Sequence, residues 1–255
     1  ESIAMVKTAV REAVSRGAEF LALPENFAFM GDEIEKHRQA EVIEEAVLKA
    51  IPELAKEYGI TIMAGGYPVR AKSGKVYNRA IIVNSDGEIK GSYNKIHLFD
   101  VELSDDETYR ESETVEAGEP EPVVSEIHIN GGNVQTGLSI CYDIRFPELY
   151  RRLADLGAEI VCIPAAFTRP TGEAHWETLL RARAIENSCY VIAPAQTGVH
   201  GEKRKTHGHS MIIDPWGRIL ADAGTEPGMA IAAIDTAFIR DVRRKLPSLR
   251  HRVLR

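Results

Sequence analysis

The sequence predicts an α/β fold arranged as one domain over residues 1–255. Three observations predict it. Helix-spaced and strand-like apolar segments alternate along the whole chain. The chain is 255 residues long, 44% hydrophobic and 27% charged, an ordinary balance for a globular protein. No linker, internal repeat or low-complexity tract interrupts it. At this length a domain, or two intimately packed halves, buries roughly 70–75% of the unfolded chain's surface, so the core needs no covalent staples.

The elements follow in order. Helical spacing opens the chain at Ile3–Ser15, with Ile3, Val6, Val10 and Val14 on one stripe. A strand is expected at Glu19–Leu23, then a helix over about 38–58. Strands follow at Ile60–Gly66, Val76–Asn84 and Glu88–Tyr93, the last two joined by the turn Ser85-Asp86-Gly87. Val101–Gly118 is acidic and aperiodic, and is expected to be a loop. Long loops inside compact domains are often functional, although a plainly solvated acidic loop is the alternative. Strands Val123–Ile129 and Val134–Cys141 flank Asn130-Gly-Gly-Asn133. The remainder reads as a helix at 147–156, a strand at Glu159–Pro164, a helix at 173–187 and strands at Cys189–Ala195, Ser210–Asp214, Arg218–Ala221 and Met229–Asp235. A helix at 236–245 closes the pattern.

Composition excludes several functions. A formal charge of −7 argues against nucleic acid, whose phosphates need a basic face. No apolar run approaches the roughly 20 residues of a membrane span, and no secretory segment or Asn-x-Ser/Thr sequon occurs. Three cysteines, Cys141, Cys162 and Cys189, include no Cys-x-x-Cys pair, which suits reduced thiols in a cytoplasm. His207-Gly-His209 is too sparse for a metal site, and no His-Glu-x-x-His, phosphate loop or dinucleotide fingerprint is present. No metal and no cofactor are expected. The chain opens at Glu1, directly in a helical pattern, so a preceding segment is expected.

One cysteine stands apart. Cys141 ends the apolar run Gly137–Cys141, and Pro147 then fits the first position of a helix. A strand end before a helix N-terminus offers free N–H groups and positive potential, which favour a thiolate. A buried structural cysteine is the alternative, and it is the better reading for Cys162 and Cys189. A thiol nucleophile needs a base. His175-Trp-Glu177 resembles a glutaminase His-x-Glu pair, but residues i and i+2 of a helix do not share a face. His97 could be a polar core group. Carboxylates offer another answer: Glu25 follows Leu21-Ala-Leu-Pro24 at a strand end, where proline enforces an extended entry. Lys95 lies in an apolar neighbourhood that makes burial plausible, although a lone Glu or Lys is usually a solvated surface residue.

The stretches Leu23-Pro-Glu25-Asn-Phe27, Tyr93-Asn-Lys95-Ile-His-Leu-Phe-Asp100 and Gly137-Leu-Ser-Ile-Cys141-Tyr-Asp-Ile-Arg145-Phe-Pro-Glu148, in this order, resemble the nitrilase superfamily of carbon–nitrogen hydrolases over nearly the whole chain. The resemblance implies a four-layer αββα sandwich with a Glu25–Lys95–Cys141 set where its two halves meet. That family begins with a β-strand before its first helix, which is absent here. His175-Trp-Glu-Thr-Leu-Leu-Arg-Ala-Arg-Ala-Ile-Glu-Asn187 and Gly208-His-Ser-Met-Ile-Ile-Asp-Pro-Trp-Gly217 look like its Nit branch, which holds deaminated-glutathione amidases and ω-amidases. The Glu202-Lys-Arg204 stretch leans towards the former. The substrate would then be a small-molecule ω-amide of an α-keto dicarboxylate, and both substrate types stay open.

The implied chemistry is amide hydrolysis through a thioester on Cys141. Glu25 would move protons, its carboxyl raised by burial towards a useful range. Lys95 and the backbone N–H of Tyr142 would bind the oxyanion. The family's second glutamate falls best on Glu111, with Glu102 and Glu107 as alternatives. Arg145 could clamp a carboxylate bidentately, or could pair with Asp143 or Glu148; the resemblance associates its position with the substrate carboxylate and places Phe167 and Thr171 in the same pocket. It also implies a homodimer.

Overall fold

The computed structural model describes residues 2–104, 107–201 and 204–254. In chain order the elements are α1 Ser2–Ser15, β1 Phe20–Leu23, α2 Glu33–Arg38, α3 Ala40–Tyr58, β2 Thr61–Arg70, β3 Val76–Val83, β4 Ile89–Asn94, β5 Asp100–Ser104, β6 Glu107–Arg110, β7 Val123–Ile129 and β8 Gly132–Leu138. They continue with α4 Pro147–Asp155, β9 Ile160–Cys162, α5 Arg169–Asn187, β10 Tyr190–Ala193, β11 Thr197–His200, β12 Arg204–His207, β13 Met211–Ile213, β14 Ile219–Asp222 and α6 Thr236–Lys245.

Two sheets form the centre: one of order β1-β2-β3-β4, the other of order β14-β13-β10-β9-β8-β7. Side chains alternate across a strand, and here the alternation sorts residues between layers. Ile62, Ala64, Ile81 and Val83 pack with Val6, Val10, Val47 and Ile51 of α1 and α3. Their neighbours Met63, Ala80 and Ile82 pack into a second cluster with Val134, Leu138, Ile160 and Val191 of the other sheet. That cluster also takes Leu149, Tyr150 and Leu153 of α4 and Trp176, Leu180 and Ala184 of α5. The order is therefore helix, sheet, sheet, helix, the αββα sandwich expected from the resemblance. The sheets come close at Gly91, where an added Cβ would lie 2.9 Å from the Ser125 Cβ.

Several expectations need correction. Residues 101–118 are not an open loop: β5 and β6 pair as a hairpin and Glu111–Glu113 forms a 3-10 turn. Short alternating polar strands hide from a pattern that looks for apolar periodicity. Met229–Asp235 forms no strand; it runs beside Phe20–Pro24 and Ile192–Ala195 along a cavity wall, without a ladder partner among the described residues, and a strand needs one. Strand β8 ends at Leu138, so Cys141 lies beyond it, in the 3-10 turn Cys141–Arg145. Helix α5 starts four residues earlier than expected because Pro170 is tolerated in a first turn. The β11–β12 hairpin was not expected. Gly172 lets α5 approach it: a Cβ there would meet the His207 Cβ at 2.2 Å.

Candidate active site

Elements of both sheets end at one cavity of about 310 Å³, whose walls include Glu25, Lys95, Glu111, Cys141, Tyr142, Phe167 and Thr171. Glu25 comes two residues after β1, Lys95 directly after β4, and Cys141 three residues after β8. Lys95 is held by backbone on both sides: its N–H donates to Asn78 O at 2.9 Å, and its carbonyl accepts from Gly118 N at 2.8 Å.

Glu25 is 3% exposed and Lys95 2% exposed, so their charges must be paired. The Lys95 Nζ donates to Glu25 Oε1 at 3.3 Å and to both Glu111 oxygens at 3.0 and 2.8 Å. Asn78 Nδ2 donates to Glu25 Oε1 at 2.9 Å and reaches Glu111 Oε1 at 3.4 Å. The Ala166 N–H donates to Glu25 Oε2 at 2.9 Å, and the Phe99 N–H to Glu111 Oε2 at 2.6 Å. Among the described loop acids, Glu111 alone pairs with Lys95. Glu102 pairs with Arg110, and Glu107 accepts from the Tyr109 hydroxyl.

The Cys141 thiol adjoins the Glu25 carboxylate and feels the Lys95 charge. Its backbone is left-handed, φ +50°, a conformation that costs a non-glycine residue about 1–2 kcal/mol. It is held there because its N–H donates to Pro164 O at 2.8 Å and because the turn is anchored by Asp143. That carboxylate is fully buried. It accepts from the Tyr93 hydroxyl at 2.7 Å and Ile140 N at 2.8 Å, while His97 Nδ1 sits 2.7 Å away. The first i→i−3 bond of the turn runs from Asp143 N to Ile140 O, so the preceding N–H, of Tyr142, has no acceptor within the turn.

The protonation pattern differs from the one expected. Burial pushes the Glu25 carboxyl up, but Lys95, hydrogen bonding with the Cys141 thiol and the more distant Arg204 and Lys36 outweigh it. The net direction is below the usual glutamate value. Burial and the Glu25 charge push the Cys141 thiol well above its ordinary value, against the pull of Lys95. Burial opposes the Lys95 charge, yet Glu111, Glu25 and Cys141 raise it well above the usual lysine range. The resting site is therefore a neutral thiol beside an ionised carboxylate and an ammonium, not the thiolate suggested by the helix N-terminus. Cys162 and Cys189 are buried and free, and burial pushes both thiols up, Cys189 to about 12, which leaves them unreactive.

Arg145 is not on the cavity wall. It stacks over Tyr142 and Phe167, 5.8 and 5.4 Å from their ring centres, and reaches His175 Nδ1 at 3.3 Å. It pairs with neither Asp143 nor Glu148 among the described residues. Phe167 and Thr171 do line the cavity, Thr171 sharing a 2.8 Å hydroxyl contact with Thr168. His175 is exposed, and Glu177 pairs with Arg181 at 3.2 Å. Neither lines the cavity, which removes the Cys–His–Glu alternative. Of the Glu202-Lys-Arg204 stretch, Glu202 and Lys203 lie outside the described residues. Arg204 is a wall residue.

Sequence reasoning missed Asn78, Asp143 as an anchor, and Gly65–Gly66. The glycine pair was the legible signal, because glycines inside a strand pattern suggest a bulge. The β2–β3 register does shift between Ala64 and Tyr67. A Cβ on Gly66, at φ +57°, would meet Glu25 Cγ at 2.7 Å. Among the described residues no group of His, Cys, Asp and Glu is arranged to hold a metal ion, and no helix is long and apolar enough to cross a membrane.

Comparisons with known proteins identify the family and the fold. A family model described as carbon-nitrogen hydrolase matches residues 1–244. A Synechocystis protein named deaminated glutathione amidase is 55% identical over 244 residues, covering 94% of this chain and 88% of that protein. The crystal structure of the C. elegans NitFhit protein superposes with a TM-score of 0.90 at 39% identity. The match covers 99% of this chain but 61% of the longer NitFhit chain. Saccharomyces cerevisiae Nit3, described as a member of branch 10 of the nitrilase superfamily, superposes with a TM-score of 0.82 at 28% identity, covering 96% of this chain and 88% of that one.

Proposed function

The chain belongs to the carbon–nitrogen hydrolase family, and from that membership we propose that it hydrolyses deaminated glutathione through a thioester on Cys141. That it is a hydrolase acting on amides follows from the family and from its relatives. The substrate is supported by the 55% identical relative bearing that amidase name. In such a substrate the scissile amide joins the distal carbonyl of a 2-oxoglutarate unit to cysteinylglycine.

The observation that carries the roles is the buried Cys141 thiol against the Glu25 carboxylate, which Lys95 holds at 3.3 Å. Glu25 takes the thiol proton as the sulfur attacks the amide carbonyl. The new C–S bond leaves a negative oxygen, which Lys95 Nζ and the Tyr142 N–H are suited to receive; one such donor is worth roughly 3 kcal/mol. Protonated Glu25 then gives its proton to the departing amine as the C–N bond breaks, leaving the thioester. Glu25 next takes a proton from water, whose oxygen attacks the thioester and releases the acid and the thiol. Glu111 keeps Lys95 charged and oriented throughout. Attack by a neutral thiol without proton removal would be slow, because the thiolate is the nucleophile.

The test compares wild type with Cys141→Ala on deaminated glutathione and on 2-oxoglutaramate, measuring cysteinylglycine and ammonia. Turnover of the first substrate that disappears in the variant is expected. Preferred turnover of 2-oxoglutaramate would replace the substrate reading with that of an ω-amidase, and unchanged activity in the variant would overturn the role of Cys141. A homodimer and a cytoplasmic setting belong to the same reading. The first is supported by exposed Leu156, Ile185 and Trp216 and is checked by sedimentation; the second is supported by three free thiols.

A further inference from the structure

Deaminated glutathione carries two carboxylates, one on each side of its scissile amide, and the protein needs a positive charge for each. The acyl half's carboxylate has its candidate in Arg145, which packs over the wall residues Tyr142 and Phe167 at the position that the family resemblance associates with it. The amine half, cysteinylglycine, ends in the second carboxylate, two residues and at most about 7 Å from the scissile nitrogen. Beside the thiol no charge is left for it, since Lys95 already faces two carboxylates, Glu25 and Glu111. Arg110 is taken by Glu102.

A second group of charges on the wall has the opposite balance. Two cations there share one carboxylate: Glu33 lies 2.5 Å from Lys36 Nζ and 3.2 Å from Arg204 Nη1. Lys36 also donates to Asn26 Oδ1 at 3.3 Å, and Asn26 follows Glu25 directly, so this group adjoins the reacting one in the same cavity. The Arg204 Nε is buried with no acceptor among the described residues. A guanidinium donor removed from water without an acceptor is unfavourable until a ligand supplies one. Tyr109 covers the guanidinium, 5.9 Å from ring centre to Cζ, which further limits access of water.

We infer that Arg204, with Lys36, forms a leaving-group subsite that takes the terminal carboxylate of the amine half, in addition to the place that the acyl half's carboxylate has at Arg145. This inference rests on the amide-hydrolase reading of the same cavity. It bears on the choice between the two substrate types. An ω-amide that releases ammonia, such as 2-oxoglutaramate, has no second carboxylate and leaves the excess positive charge unmet. An ω-amide of a carboxylate-ended dipeptide meets it. A site built around a buried polar group discriminates against the analogue that lacks the matching group.

Binding to Cys141→Ala protein tests the subsite without turnover. The ligands are deaminated glutathione and its C-terminal amide, in which glycinamide replaces glycine and only the terminal charge is lost. Calorimetry should show the acid bound at least about tenfold more tightly than the amide, the scale of a charge-assisted hydrogen bond. Adding Arg204→Met should remove most of that preference. Arg204→Lys, which keeps the charge and loses the fork, should retain part of it. Arg145→Met should instead weaken both ligands alike, because both keep the acyl carboxylate. Equal binding of the two ligands by Cys141→Ala protein, binding of neither, or a preference that survives Arg204→Met would overturn the subsite. So would a preference lost in Arg145→Met and kept in Arg204→Met. Failure of the amidase reading is seen separately, as no release of cysteinylglycine from deaminated glutathione by the chain with Cys141 intact.

Discussion

At the scale of single residues, the site rests on where one proton sits. Cys141 is held as a thiol largely by burial and by the charge of Glu25, while Lys95 pulls the other way. Replacing Glu25 by Gln removes the repulsion and leaves the ammonium. Two opposite effects should follow: kcat for amide hydrolysis falls by about 10²-fold or more, and alkylation of Cys141 by iodoacetamide at neutral pH becomes faster than in wild type. Slower alkylation would mean that Glu25 does not hold the thiol neutral. The pH profile has a definite sign as well. Glu25 lies below its ordinary value of 4.5 in the folded protein, so it is ionised above that point and its function is lost as pH falls through the folded value. The acid limb of kcat/KM is expected below the usual glutamate range, and a limb at higher pH would contradict the assignment. Glu25, Lys95 and Cys141 were legible because each sits in a short motif at a strand end. Asn78 and Asp143 were not, because a lone polar residue in an apolar run shows its partners only once the chain is folded.

At the scale of elements, strand ends and turns place those residues, and two local devices decide the placement. The Gly65–Gly66 bulge lets β2 pass beneath Glu25. Gly66→Ala puts a Cβ 2.7 Å from Glu25 Cγ in a left-handed backbone, a conformation that costs about 1–2 kcal/mol. Thermal unfolding should report a loss of that size, while kcat falls by a larger factor because the carboxylate is displaced; a fall in stability with kcat intact would show that Glu25 tolerates the shift. The second device is Asp143, which ties the Cys141 turn to Tyr93 and His97 beside Lys95. Asp143→Ala leaves the buried Tyr93 hydroxyl and Ile140 N–H without their acceptor, at about 1–3 kcal/mol, and should lower kcat although Asp143 touches no substrate. Element positions were legible where apolar periodicity was strong, as in α1, α3 and β3. They were not legible in β5 and β6, whose polar strands look like a loop, nor at Met229–Asp235, an apolar run that finds no ladder partner among the described residues.

At the scale of the whole molecule, the two sheets are joined by the same layer of side chains that sets the distance between Lys95 and Cys141. Lys95 follows β4 in one sheet and Cys141 follows β8 in the other, so the gap between the sheets enters the chemistry directly. Alternation along β3 gives a clean comparison. Ile82 is fully buried between the sheets, whereas its neighbour Ile81, 1% exposed, packs towards α1 and α3. Truncating either residue to Ala removes similar apolar volume and should cost about 2–5 kcal/mol in urea unfolding. Their effects on catalysis should part. Ile81→Ala loosens a helix layer that carries none of the reacting groups. Ile82→Ala lets the sheets settle towards each other, and misplacement by about 1 Å can cost on the order of 10²-fold in rate. At a temperature where both variants are fully folded, kcat of Ile82→Ala should therefore fall by about tenfold or more relative to Ile81→Ala. Equal kcat values at equal loss of stability would show that the sheet interface holds the fold together without tuning the site.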